Sequence, residues 1–384
     1  MRIFAGIFGI MWMMGAASAS AGLNPDINLI LAGKYAYLSQ NPATFHLQGF
    51  APGGDAAGAP RRGFGLDESE LGVYANIDPH FYGGMNLALA SDNSVSVEEA
   101  FFQTLAVAPG FTVKAGRFFA ALGYLNERHA HTWDFADNPL AYQVFLGTQF
   151  AHEGVQVKWL APLNTYVELG GELGNGRNFP ATDTARNGIG SGAIFAHSGG
   201  DVEGSNSWRA GVSWLATWPR ERVYSATTLS GATAQNSFTG SSQLMMIDGV
   251  WKWAPQGNAT QRNVILQGEY FMCREQGELA SNSIAGAYVA DQSGGYVQAL
   301  YQYTRYWRVG VRVEQLDSGQ VNLGVLASSL DNTRYQPRKI SMMVDYAPSE
   351  FSRLRLQIAR ADAADNQIIL QYQMSLGAHG AHTF

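Results

Sequence analysis

Apolar and polar residues alternate one by one through most of this chain. Ile368, Leu370, Tyr372, Met374 and Leu376 are separated by Gln367, Ile369, Gln371, Gln373 and Ser375. Val309, Val311 and Val313 alternate with Arg308, Gly310, Arg312 and Glu314. Ile340, Met342, Val344 and Tyr346 alternate with Lys339, Ser341, Met343 and Asp345, and Leu354, Leu356 and Ile358 with Arg353, Arg355 and Gln357. Near the start, Ile27, Leu29, Leu31, Tyr35 and Tyr37 follow the same rule. A period of two predicts strands with one apolar and one polar face. Helical periodicity is scarce.

The connections alternate as well. Short turns are predicted at 77–79, 108–110, 161–164, 218–220, 254–256, 306–307 and 347–349. Longer Gly-, Ser- and Asn-rich loops are predicted at 39–64, 91–95, 121–149, 175–205, 231–240, 277–293, 318–336 and 361–366. Trp159, Trp218, Trp251, Trp253, Tyr306, Trp307 and Tyr346 cluster at strand ends beside the short turns, as an interfacial girdle does. Short turns at one end, long loops at the other and aromatics between describe an all-β protein, a transmembrane antiparallel β-barrel of about 16 strands. In lipid every backbone group must be paired internally, so such a sheet closes on itself. The expected barrel has an apolar outside, a polar lumen and no single apolar core.

The amino terminus adds a route to the membrane. Arg2 precedes an apolar stretch over 3–14, and Ala19-Ser20-Ala21 fits a small-x-small cleavage pattern. Residues 1–21 read as a signal peptide cleaved near Ala21, and 22–384 as one barrel domain. Cys273 is the only cysteine, which excludes a disulfide framework and fits a bacterial envelope. The expected location is the bacterial outer membrane. Phe384, a terminal aromatic, resembles the assembly signal of such barrels.

Charge locates candidate chemistry. With a net charge of −6 and no basic aromatic module, nucleic acid is not an expected partner. On the polar faces, Arg308, Arg312, Lys339, Arg353 and Arg355 form a basic wall. Glu68, Glu70, Glu168 and Glu172, with Glu98 or Glu99, form an acidic one. Strand 14 of 16 lies roughly opposite strand 6, so the walls are expected to face each other and to influence ion selectivity. The alternative is that these charges pair with neighbours on adjacent strands.

The third loop, 121–149, is rich in aromatics for a solvated segment and is expected to fold inward as a constriction carrying His129, His131, Trp133, Asp134 and Asp137. His129 and His131, with the two aspartates, are candidate ligands for a divalent metal. Alternatively, His129 and Asp137 fasten the loop by hydrogen bonds. Lys114-Ala115-Gly116-Arg117-Phe118-Phe119, then Asn126, His129-x-His131 and Trp133-x-Phe135-x-Asp137-x-Pro139-Leu140, resemble a family of bacterial outer-membrane porin-like proteins. Its members carry labels such as phosphate-selective-porin-like or metal-regulated outer-membrane receptor. That resemblance implies an outer-membrane barrel with a diffusion role.

The expected function is a porin passing small polar solutes or ions, with lipid as its surroundings, a homotrimer as its possible assembly and no cofactor. The alternatives are a non-conducting structural or adhesive barrel, or a surface hydrolase. Neither a Gly-x-Ser-x-Gly elbow nor a His-Glu-x-x-His stretch occurs, and no catalytic residue is expected.

Overall fold

The computed structural model describes residues 25–42, 47, 49–50, 61–90, 92–183, 185–362 and 365–377. The segment expected to be a signal peptide, and His379, His382 and Phe384 at the other end, lie outside the described residues. Sixteen antiparallel strands close into one barrel. They are β1 (Asp26–Leu38), β2 (in two pieces, Gly63–Leu66 and Ser69–Asn76), β3 (Phe81–Leu89) and β4 (Val95–Thr104). Next come β5 (Phe111–Phe119), β6 (Ala151–Leu160), β7 (Tyr166–Gly174) and β8 (Ser191–Val202). β9 is also in two pieces, Asn206–Thr217 and Arg222–Thr227. β10 (Thr233–Trp253), β11 (Asn263–Ser281), β12 (Ile284–Gln302) and β13 (Trp307–Asn322) follow. β14 (Arg338–Ser349), β15 (Ser352–Ala361) and β16 (Asp365–Gly377) complete the ring. β16 returns to β1, in register from Asn28 opposite Gly377 to Leu38 opposite Gln367. Among the described residues the ring has no terminal strand, which is the condition for burying strands in lipid.

The alternation is read out as expected. On β16, Leu370, Tyr372 and Leu376 point outward at 42–50% exposure, while Gln371, Gln373 and Ser375 point inward at 8%. Trp159, Phe111, Trp251, Tyr301, Tyr306, Trp307, Tyr346 and Phe351 ring the short-turn end, with Trp307 and Tyr346 rings 4.7 Å apart.

Three expectations are corrected. Residues 218–220 are not a turn between strands. They interrupt β9, where Pro219 can donate no ladder hydrogen bond, and both pieces pair with β10. The short turn of this region is instead 203–205. Residues 231–240 and 277–293 are mostly strand, because β10, β11 and β12 run 21, 19 and 19 residues and project beyond the rest of the ring. Their polar, Gly- and Ser-rich composition reflects strands leaving the membrane rather than loops.

The third correction concerns the interior. The lumen holds an apolar core, built by the third loop against the wall. Helix α1 (Leu140–Leu146) lies inside the barrel with all its apolar residues buried. Phe145 stacks on Phe271 of β11 at 5.9 Å, and Tyr142 meets the same ring edge-on at 5.1 Å. Leu215, Leu244, Met246, Tyr296 and Leu316 complete the cluster. A helix apolar on every side has to be buried on every side, and patches of the inner faces of β9–β13, between their polar residues, are apolar to match. Pro139 starts the helix, and Gly147, at φ 63°, ends it in the left-handed conformation. A second cluster seals the projecting strands, where Leu323, Leu326 and Leu330 cover Phe238, Leu279 and Tyr288.

Candidate functional site: the third loop and its constriction

Loop 3, residues 120–150, leaves β5, crosses the lumen and returns to β6. Its neck is stapled by Asn126. The Asn126 amide nitrogen donates to the carbonyls of Ala120 (2.7 Å) and Phe150 (2.8 Å), and its oxygen accepts from the Phe150 N–H at 2.8 Å. Glu172 of β7 accepts the Ala121 N–H at 2.8 Å. Glu269 of β11 then takes four donors, the N–H groups of Tyr124 (3.0 Å) and Leu125 (3.1 Å) and the hydroxyls of Tyr142 (2.8 Å) and Tyr296 (2.6 Å). A buried carboxylate is tolerated only when its lone pairs are so filled. Gly123 permits the approach. It has φ 64°, and a Cβ there would stand 2.1 Å from the Glu269 Oε2. Burial and the Glu269 charge push the Tyr142 hydroxyl well above its ordinary pKa.

The loop is next clasped between two charged groups. On the acidic side, a bulge in β4 turns both Glu98 and Glu99 inward, because Asn86 pairs with Glu99 and Leu87 with Val97. His129 Nδ1 lies 3.2 Å from Glu98 Oε2 and 3.4 Å from Glu70 Oε2, and its Nε2 lies 3.1 Å from Glu99 Oε2. His131 Nδ1 lies 2.7 Å from Glu70 Oε1. Burial alone would lower the His129 pKa. Its contacts with Glu98 and Glu99 and the charges of Glu70 and Glu99 outweigh burial and hold it well above the usual imidazole range.

On the basic side, Arg308 pairs with Asp134 at 2.6 Å and with Asp345 at 2.7 Å. Arg312 pairs with Asp137 at 2.6 Å and with Glu314 at 2.8 Å, and Lys339 also reaches Asp137. Arg355 pairs with Asp345 at 2.7 Å and donates to the Trp133 carbonyl at 2.9 Å. Glu314 also accepts the Leu140 N–H at 2.6 Å, at the start of α1. Burial would raise the Asp137 pKa, but the charges of Lys339 and Arg312 hold it well below the ordinary range.

Water-sized space remains on both sides of the loop. A cavity of about 680 Å³ on the long-loop side is lined by Lys34, Asp67, Trp133, Gln367 and Gln371. A cavity of about 360 Å³ on the short-turn side is lined by Arg128, Lys252 and Arg353. His131 and Gln373 line both. Arg353 spans this junction, donating to the His131 carbonyl at 2.8 Å and to Gln373 Oε1 at 2.7 Å. A third cavity of about 750 Å³ shares Tyr124, Arg128 and Thr132 with the second, and Glu168, paired with His197 at 3.2 Å, lines it.

The residues singled out in the sequence therefore divide. Glu68 and Lys339 line the upper cavity, Glu168 and Arg353 the lower ones. Arg312, Arg355, Glu70 and Glu172 face inward but are at most 2% exposed, because loop 3 covers them. Arg308 is largely covered by Asp134 and Asp345. The His129, His131, Asp134 and Asp137 set is not assembled. The histidines turn to the acidic group, and the aspartates turn to the basic one. The groups that clasp the loop are also not diametrically opposed, since β2 and β4 stand four and six strands from β14 around the ring. Asn126, which the sequence offers only as part of the porin-like motif, carries much of the fastening together with Glu269 and Glu314, which it does not offer. The one signal for Glu269 and Glu314 is an acid on the inward parity of a strand.

A barrel of sixteen antiparallel strands, apolar outside and polar at its walls, is the outer-membrane porin fold. Solved outer-membrane proteins share it. OmpT of Vibrio cholerae, in a form lacking loop L8, matches with a TM-score of 0.59 at 12% identity, over 92% of this chain and 99% of that one. OprB of Pseudomonas putida matches at 0.54 and 14%, over 92% and 94%. An anion-selective porin from Comamonas acidovorans matches at 0.53 and 11%, over 92% and 99%. By sequence the chain belongs to the family of an uncharacterized protein of Aquifex aeolicus (strain VF5). The two are 30% identical over an alignment of 395 residues, covering 94% of this chain and 80% of that protein. No family model matches.

Proposed function

We propose that this protein is an outer-membrane porin passing small polar solutes or ions by diffusion, with loop 3 as its constriction. The observation that carries the reading is the meeting of two cavities at His131 and Gln373, one on each side of the loop. Arg353 stands at that meeting point and has neutral partners, the His131 carbonyl and the Gln373 amide, whereas Arg308, Arg312, Lys339 and Arg355 are engaged by carboxylates. Its charge is therefore the one from the basic wall that a passing solute meets least compensated. The reading places the chain in the outer membrane after removal of a signal peptide. It allows a homotrimer, an arrangement also known for Vibrio cholerae OmpT, which has a trimer form.

No chemical step is assigned. Ser191 Oγ lies 3.1 Å from His152 Nδ1, and His152 Nε2 lies 3.1 Å from Glu172, which has the order of a nucleophile relay. All three are at most 2% exposed, and Glu172 is also bound to Ala121 N–H and Gln156. A substrate has no approach to that serine, so these groups support loop 3 instead.

The test is liposome swelling with the refolded protein and a size series of neutral sugars. Swelling that falls steeply with solute size supports a diffusion pore. Folded protein that admits none of them removes it in favour of a structural barrel.

A further inference from the structure

The acidic clasp has the geometry of a metal site. Glu70 Oε2, Glu98 Oε2 and His129 Nδ1 all lie within 4.8 Å of one another. The separations from His129 Nδ1 are 3.4 Å to Glu70 and 3.2 Å to Glu98. Ligands at roughly 2.0–2.1 Å from a tetrahedral zinc ion stand about 3.3 Å apart. A fourth side chain closes the figure. The Asn86 amide nitrogen lies 2.7 Å from Glu70 Oε2, 3.1 Å from Glu98 Oε2 and 3.0 Å from His129 Nδ1.

Asn86 supplies the independent sign of a missing ligand. It is 2% exposed, and its Oδ1 is buried with no hydrogen-bond partner. Its NH2 group faces the two carboxylate oxygens, Glu70 Oε2 and Glu98 Oε2, and leaves Oδ1 turned away from them. Turned over, the amide would direct Oδ1 at those two carboxylate oxygens, which is favourable only around a cation. Glu68 adds a buried carboxylate oxygen that also lacks a partner. Outside the four, Glu99 Oε2 sits 3.1 Å from His129 Nε2, the position of the carboxylate that orients a ligating histidine.

We propose that Glu70, Glu98, His129 and Asn86 form a binding site for a divalent transition-metal ion of the zinc type, with Glu99 as the positioning residue. Imidazole nitrogen with carboxylate and amide oxygen suits such an ion. A proton on His129 supplies one positive charge to this cluster, and the metal supplies two in its place. The ion reaches the site through the lower lumen, where His129 lines the cavity of about 750 Å³. Bound there, it would tie loop 3 to β2, β3 and β4.

The test is calorimetric titration of the refolded full-length protein in detergent with zinc chloride, which does not depend on whether the barrel conducts. One zinc per chain is expected, with affinity lowered at least tenfold in Glu98→Gln and in His129→Gln and unchanged in a His379→Ala, His382→Ala double variant. Each variant is checked for the heat-modifiable folded form. X-ray absorption of the zinc-loaded wild type, which needs no variant, should show one imidazole among oxygen ligands. Absence of binding by the wild type overturns the proposal. So does equal binding by Glu98→Gln and His129→Gln, or a first shell without imidazole.

Discussion

Asp137→Asn isolates the basic half of the clasp. The carboxylate of Asp137 meets Arg312 at 2.6 Å, Gln357 at 2.8 Å and Lys339. Arg312 keeps Glu314 after the substitution, but Asp137 is the carboxylate with which Lys339 pairs, and the Lys339 side chain is 3% exposed. Stranding a buried charge costs roughly 3–5 kcal/mol. At about 1.4 kcal/mol per factor of ten, loop opening should become more frequent by about two to three and a half powers of ten. The barrel itself should stay folded, because its closing ladder does not involve Asp137 and Glu269 still holds the other arm of the loop. Hydrogen exchange reads this directly. The amides of Ala136 and Leu140, which donate to Gln357 and Glu314, should lose protection about a hundredfold or more. Those of the strand pairing β16 with β1 should not change. Equal protection of Ala136 and Leu140 in variant and wild type would refute the argument that this ion cluster holds the loop.

Three further outcomes follow from the same contacts. Glu269→Leu orphans the Tyr124 N–H and two tyrosine hydroxyl hydrogens at about 1–3 kcal/mol each and leaves the Leu125 N–H only the Tyr142 oxygen, so refolding yield should fall and exchange at Tyr124 should rise; native-like yield and protection would contradict it. Arg353→Gln removes the least compensated charge at the cavity junction and should move the reversal potential toward cations with little change in stability, which a salt-gradient recording checks. Asp137 has a depressed folded pKa, so its stabilisation is complete above the unfolded value of about 4 and is lost as pH falls on through the folded one. Protection of Ala136, taken relative to the intrinsic exchange rate at each pH, should therefore fall on acidification below about 4 in the wild type and fall less in Asp137→Asn.

The strands were legible wherever one face meets lipid and the other a wet wall. Val311 and Arg312, or Leu370 and Gln371, announce their sides because the two solvents differ so sharply. Legibility failed where that contrast fails. β10–β12 project past the membrane, so their outer faces carry Gln276 and Glu278 and read as loop. Patches on the inner faces of β9–β13 carry Leu215, Phe271 and Leu316 because they pack in one cluster with loop 3 and its helix, which breaks the expected polar lumen. For the site, the aromatics of loop 3 gave its inward fold, and the charges of both walls could be named. Their partners could not, because pairings such as Glu269 with Tyr142 or Arg312 with Asp137 join residues 127 and 175 positions apart in the chain. The bulge that turns Glu98 and Glu99 inward together shows in the sequence only as a change of parity, the outward apolar positions passing from Val95 and Val97 to Phe102.

The measurement that bears most directly on the whole account is single-channel recording of the refolded protein in a planar bilayer under a KCl gradient. The account predicts stepwise conductance, with a reversal potential that shifts when Arg353 is replaced. A correctly folded, heat-modifiable barrel that inserts and passes no current would contradict it.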